Sequence, residues 1–228
     1  MKIFASDFDG TFIKGEIDQS VPEIKENIRQ VALWRAAGNL FVFATGRSIS
    51  DMIIPLSKDI DMEYDYIVCL NGGIILSNKK EVILEKTISR QAADEIMAFI
   101  RETPIPDYFA TYGKKGGPGQ ITLIVESAKE AFDFASLFND RFKGKASAFS
   151  NERYIDITAP GISKATGIAK IAEFRNIKSD DIFCMGDSYN DIPMLSAYHG
   201  FTLPEASDAV KAKAKAVYST VADALKSL

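Results

Sequence analysis

Histidine, cysteine and tryptophan are scarce in this 228-residue chain, which has one His, two Cys and one Trp. Two cysteines cannot build a disulfide framework, and alone they cannot make a zinc site. Cys69 and Cys184 lie in the apolar runs YIVCL and DIFCM, the setting of buried strand thiols. His199, followed by Gly200 beside a short strand, reads as a turn or surface residue rather than a catalytic one. An excess of basic charge is also missing: 27 Lys+Arg against 31 Asp+Glu leave a formal charge of −4, which argues against a general nucleic-acid-binding face. No run approaches the ~18 apolar residues of a membrane span. The opening MKIFASDFDG meets Asp7 too early for a signal h-region. The expectation is a cytoplasmic protein with neither membrane nor nucleic acid as a partner; its oligomeric state is not legible. Low-complexity segments and long repeats are absent. What remains, 46% hydrophobic and 25% charged residues, is ordinary globular composition with ample material for a core.

Apolar strands and amphipathic helices alternate in the first part of the chain. Lys2–Ser6 is a short apolar run that stops at two acids. Val21–Ala37 has helical spacing, with Pro22 in its first turn and Gly38 as its stop. Leu40–Ala44 and Tyr66–Leu70 are continuous apolar strands flanking a helix over Ser48–Ser57. Such strands, separated by helices, argue for a parallel sheet covered on both faces. The middle departs from this rhythm: helix, strand, strand occurs twice, over Arg90–Glu126 and Ala128–Thr158, which predicts a small α+β unit with an antiparallel sheet. From Ser163 the alternation resumes, with a helix over Lys164–Phe174 and a strand over Asp181–Met185. The expected fold is therefore α/β, a doubly wound parallel sheet built from residues 1–77 and 159–228, interrupted by an inserted α+β unit over 78–158.

Asp7-Phe8-Asp9-Gly10-Thr11 follows the first strand directly, and Gly10 frees the backbone to turn. In doubly wound sheets such strand ends line the binding crevice. Two carboxylates there repel unless a cation or a shared proton offsets them; a plain turn is the alternative. Gly186-Asp187-Ser188-Tyr189-Asn190-Asp191 repeats the arrangement after another apolar strand, although Asp187 or Asp191 alone is equally a helix N-cap. Thr45-Gly46-Arg47 also follows an apolar strand and opens a helix, where free N–H groups suit a phosphate; Ser48 as an N-cap explains it without a ligand. Lys164 begins a helix, the unfavourable end for a cation, so either an anion holds it or it is simply exposed. As a set, these residues form a toolkit for phosphoryl transfer: a carboxylate nucleophile, acids for Mg²⁺, and cationic and N–H groups for the phosphate. The glycine-rich GKKGGPG (113–119) matches neither phosphate-loop nor dinucleotide pattern, and is either a hairpin loop or one that brings Lys114 and Lys115 to an anionic substrate.

DFDGT, FATGRS, the NGG after the third strand, GISK and GDSYNDIPML resemble, in order and spacing, the motifs of the haloacid dehalogenase superfamily of phosphatases. The duplicated helix-strand-strand insertion resembles the cap of subclass IIB, the Cof-like phosphatases. One stretch departs: Leu203-Pro204-Glu205-Ala206 stands where relatives often carry Gly-Asn-Ala. The resemblance implies that Asp7 is the nucleophile forming an aspartyl-phosphate and Asp9 the general acid and base. It implies that Thr45, Gly46, Lys164 and Asn190 hold the phosphate, with Asn71 near it and Arg47 facing the substrate. Mg²⁺ would bind the Asp7 carboxylate, the Asp9 carbonyl and Asp187, with Asp191 close by. The implied activity is Mg²⁺-dependent hydrolysis of a small phosphorylated metabolite, such as a sugar phosphate. A phosphomutase or phosphotransferase using the same intermediate, or a receiver-like phospho-acceptor, is the alternative.

Overall fold

The computed structural model describes residues 1–105, 107–113 and 116–228. In chain order the elements are β1 (Ile3–Ser6), α1 (Pro22–Ala36), β2 (Leu40–Ala44), α2 (Ile49–Lys58), β3 (Tyr66–Cys69), β4 (Ile74–Ser77) and β5 (Val82–Glu85). Then come α3 (Arg90–Arg101), β6 (Asp107–Tyr112), β7 (Pro118–Ile124), α4 (Ala128–Arg141), β8 (Ser147–Asn151) and β9 (Tyr154–Thr158). The chain finishes with α5 (Lys164–Arg175), β10 (Ile182–Met185), α6 (Ile192–Ala197), β11 (His199–Thr202), α7 (Asp208–Lys211), β12 (Ala216–Val217) and α8 (Val221–Lys226).

Eight strands form the large sheet in the order β12-β11-β10-β1-β2-β3-β4-β5. From β12 to β3 every pairing is parallel. The central strands β10, β1, β2 and β3 are largely apolar on both faces because both are covered. Ile3 and Ala5 of β1 face Ile168 of α5 and Leu195 of α6; Phe4, between them, faces Trp34 of α1 and Leu225 of α8. This two-residue alternation of strand side chains assigns Phe41 and Phe43 of β2 to the first cluster and Val42 and Ala44 to the second. The chain builds outward from β1 through β2 and β3, then returns to its other side with β10. The gap between β1 and β10 is thus the switch point where doubly wound sheets open a crevice.

Sequence patterning places the start of the insertion at residue 78. In the structure Val82–Glu85 pairs antiparallel with Ile74–Ser77 at the edge of the large sheet, through a tight turn in which Ser77 N–H donates to Glu81 O over 2.9 Å. Glu85, the last residue of that strand, is where the chain leaves the large sheet. The four strands that follow form a separate antiparallel sheet, β6-β7-β9-β8. One face packs Ile121, Leu123, Ile155 and Ile157 against Ile96 of α3 and Phe138 of α4. The other carries Gln120, Thr122 and Asp156, buried although it packs on no helix of its own unit.

Cys69 and Cys184 are buried free thiols, both pushed up by burial, Cys69 to about 12. His199 stacks on Phe183 with centroids 4.9 Å apart, beside Lys215. No helix of the described residues is long and apolar enough to cross a membrane.

Phe43 is fully buried, with ring centroids 5.0 Å from Phe41, 5.1 Å from Phe12 and 5.4 Å from Phe8. Phe43→Ala is expected to lower the unfolding free energy by about 3–5 kcal/mol in urea titrations. Truncating half-exposed Phe132 should cost under about 1 kcal/mol.

Candidate active site

Asp7 and Asp187 stand just past the C-terminal ends of β1 and β10, which are paired in register, with Asp7 N–H donating to Met185 O over 2.9 Å. Gly10 completes the turn after Asp7 with φ +74°; a Cβ there would lie 2.6 Å from Asp187 Oδ2, so only glycine lets the two loops approach so closely. Thr11 Oγ1 donates to Asp187 Oδ1 over 2.5 Å and Ser188 Oγ to its Oδ2 over 3.2 Å.

Behind these acids lies Lys164, the first residue of α5 and fully buried. Its Nζ is 2.9 Å from Asp7 Oδ1 and 2.7 Å from Asp191 Oδ1. Asp191 Oδ2 accepts from the backbone N–H groups of Asp187 and Ser188, both at 3.0 Å, so Asp191 ties the lysine to the loop that carries Asp187. Burial pulls the ammonium's pKa down, but Asp191 and Asp7 outweigh it and hold the group above its ordinary range. Asp7 is raised well above the usual carboxylate range by burial, with Asp191 adding and Lys164 opposing. Asp187 is raised for the same first reason, then by Asp191. Of the two readings of Lys164 that the sequence leaves open, the structure shows the one in which an anion holds it.

The loop after β2 interlocks with the turn after β3: Asn71 N–H donates to Thr45 O and Leu70 N–H to Arg47 O, both at 3.0 Å. Asn71 has a left-handed backbone, φ 51° and ψ 28°, which asparagine tolerates better than most residues. Its Oδ1 accepts from Asn190 Nδ2 over 3.2 Å. The Oδ1 of Asn190 is buried without a hydrogen-bond partner among the described residues, which calls for a donor from a ligand or solvent. Ser48 caps α2 by accepting from Asp51 N–H, so the capping reading of TGRS is correct as far as it goes. Arg47 forms a bidentate pair with Asp9, Nε to Oδ2 and Nη2 to Oδ1, both 2.7 Å, and lies over the Phe8 ring at 5.0 Å. The structure therefore brings Asp7, Asp187, Asp191 and Lys164 into one cluster and keeps the Asp9 carboxylate outside it, paired with Arg47.

Three residues absent from the sequence reading close the site from the inserted unit. Asp156 and Gln120 bond directly to the loops of the large sheet, as detailed below, Thr122 braces Asp156, and with Phe109, Tyr154 and Arg47 they line a cavity of about 180 Å³ that opens onto Asp7 and Asp9. Burial pushes Asp156 up to about 6, with hydrogen bonds from Thr122 and Asn71 opposing. One signal was available: in Tyr154–Thr158 the only acid sits between two isoleucines whose alternation marks the opposite face as the helix-covered one. Lys114 and Lys115 lie outside the described residues.

The family model of haloacid dehalogenase-like hydrolases matches residues 4–120 and again 112–224. The chain belongs to this family. Two curated relatives, from Bacillus subtilis and Escherichia coli, are each named 5-amino-6-(5-phospho-D-ribitylamino)uracil phosphatase and are each 25% identical to it. The first alignment covers 96% of this chain and 90% of the relative, the second 94% and 89%. A HAD/COF-like hydrolase from Plasmodium vivax shares the fold with a TM-score of 0.84 at 23% identity, over 99% of this chain and 94% of that one. Family and relatives together make this chain a phosphoric monoester hydrolase.

The acidic cluster of this haloacid dehalogenase-like hydrolase fits a divalent cation. Asp7, Asp187 and Asp191 each offer a carboxylate oxygen within 4.8 Å of the others, and one ammonium is too little charge to balance two buried acids and a half-buried third. Asp7 and Asp187 are harder to ionise in the fold than in the unfolded chain. Without metal their contribution to the fold is therefore fully present below about pH 4, the unfolded carboxylate range, and is lost as pH rises through their raised folded values. Metal binding needs the ionised acids. In thermal unfolding, added Mg²⁺ should accordingly raise Tm more at pH 7 than at pH 5. Asp187→Asn should abolish most of that gain.

Proposed function

We propose that this hydrolase cleaves a small phosphorylated metabolite, a sugar phosphate or similar, through an aspartyl-phosphate on Asp7 with Mg²⁺ as cofactor. The observation that carries the reading is Asp7 itself: a buried carboxylate at the switch point, both of whose recorded hydrogen bonds, from Phe8 N–H and Lys164 Nζ, fall on Oδ1. Oδ2 is then the oxygen left to attack phosphorus. Asp7, the Asp9 carbonyl and Asp187 would hold the cation, with Asp191 behind them. Bound there, it would neutralise charge on the phosphoryl oxygens.

As Asp7 Oδ2 bonds to phosphorus, the bond to the leaving oxygen breaks and Asp9 gives that oxygen its proton. Water then attacks the phosphorus, Asp9 takes its proton, and the bond to Asp7 breaks, returning the carboxylate and free phosphate. Lys164 stays beside Asp7 throughout, and Thr45, Gly46, Asn71 and Asn190 surround the phosphate. For Asp9 to act, the pair with Arg47 has to open; an anionic substrate that engages Arg47 supplies the competing charge. In this reading the inserted unit, residues 78–158 by sequence and leaving the large sheet after Glu85 in the structure, is a cap that supplies the walls of the leaving-group pocket. Phe109 and Tyr154 there give a ring something to pack on, and Thr111 and Asn151 give a polyol hydrogen bonds. The ribityl phosphate named for the relatives therefore belongs in a substrate panel with hexose phosphates.

Asp7→Asn is expected to abolish Mg²⁺-dependent hydrolysis of an aryl phosphate while circular dichroism and Tm stay near wild type; turnover in that variant would remove the nucleophile assignment. Asp9→Asn should slow both formation and breakdown of the intermediate by about 10²–10⁴-fold in single-turnover kinetics, the range of a lost general acid and base.

A further inference from the structure

The face of the cap sheet turned away from α3 and α4 carries one buried acid, Asp156, 6% exposed and seated on the core rather than in solvent. Thr122 lies directly across the β7–β9 ladder from it and donates Oγ1 to Asp156 Oδ1 over 2.8 Å. Gln120, one step diagonally away, donates Nε2 to the same oxygen over 2.9 Å. Asp156 Oδ2 accepts from Asn71 Nδ2 over 2.9 Å, across the junction between cap and core. Gln120 adds two further links to the core: its Oε1 accepts from Asn71 Nδ2 at 3.2 Å and its Nε2 lies 3.3 Å from Gly46 O. A Cβ on Gly46 would stand 3.1 Å from Asp156 Oδ2 and 3.2 Å from Asn71 Nδ2, so this loop has a glycine where cap and core meet.

The chemistry of these contacts is directional. A carboxylate only accepts, so Asp156 fixes which end of the Asn71 amide faces the cap: Nδ2 turns toward Asp156, and Oδ1 is left to accept from Asn190 Nδ2. The chain Asp156–Asn71–Asn190 thus runs from a cap strand to the loop that carries Asp187 and Asp191. An asparagine in place of Asp156 has a single accepting oxygen for donors on two sides, so either Asn71 Nδ2 or Gln120 Nε2 is left facing a donor and the constraint is weakened.

We propose that Asp156 is a positioning residue: through the Asn71 amide it sets Asn71 and Asn190 for the phosphate when the cap is seated on the core. The inference rests on the phosphatase reading for the place of Asn71 beside the phosphate. The loss of one charge-assisted hydrogen bond corresponds to about a 10- to 100-fold effect.

The test is a double-mutant cycle with an aryl phosphate and Mg²⁺, using Asp156→Asn, Asn71→Gly and both together; glycine keeps the left-handed backbone at 71 accessible. Asp156→Asn should raise KM about 10- to 100-fold with a smaller change in kcat. On the Asn71→Gly background the same substitution should add little, because its route is gone. Wild-type KM in Asp156→Asn, or effects that multiply in the double variant, would overturn the proposal. Should Asp156→Asn fail to fold, Thr122→Val loosens the same carboxylate; it should raise KM about 3- to 10-fold and have no effect on the Asn71→Gly background, and equal effects on both overturn it. A wrong phosphatase reading shows itself separately, as a wild type without Mg²⁺-dependent turnover. The positioning claim is then judged by NMR on the Asn71 side-chain amide, whose protons should exchange about tenfold faster in Thr122→Val or Asp156→Asn; unchanged exchange overturns it.

Discussion

A fully buried ammonium between two carboxylates is the constraint around which the core is arranged. Lys164 reaches Asp7 at the end of β1 and Asp191 beyond β10, so three separate segments must arrive together for any of the charges to be tolerated out of water. Asp191 then anchors the loop bearing Asp187 through two backbone N–H groups. A surplus of buried negative charge remains next to Asp7, the condition that a divalent cation relieves. The cost of burying these groups is borne by the two large apolar clusters on either side of the sheet.

The second unit has its own apolar core, and its polar face has a different task. Two of its strands present Gln120 and Asp156, the latter braced by Thr122, to the loop after β2 and the turn after β3. A further cap–core contact, Phe132 of α4 against Tyr189 with centroids 5.4 Å apart, lies beside the loop that carries Asp187 and Asp191. The seating of this unit and the geometry of the loops around Gly46 and Asn71 are therefore linked by hydrogen bonds between named residues. In the proposed function the leaving-group contacts come from the same sheet, so one surface would serve both selection and closure.

Much of the fold was legible because burial on both faces leaves a strong pattern. LFVFA and YIVC are apolar almost throughout, and the helix before LFVFA carries its own stop at Gly38. The boundary of the insertion was less legible, because Val82–Glu85 is short and half exposed, and a hairpin added to a sheet edge looks the same in sequence as the start of a new unit. In the site, Asp7, Asp187 and Thr45 were visible because each follows an apolar strand directly. The Asp9–Arg47 pair was not, since a 38-residue separation says nothing of contact.

From sequence alone came the order of strands and helices, the acids at two strand ends and the likeness to a phosphatase family, all properties of local patterning and spacing. Tertiary structure alone decided that Lys164 is buried between Asp7 and Asp191, that Asp9 is held by Arg47, and that Asp156 grips Asn71 from the cap. The reason is physical: a pKa, an ion pair or a hydrogen bond depends on distance and exposure, and residues 85 positions apart acquire those only when two sheets meet.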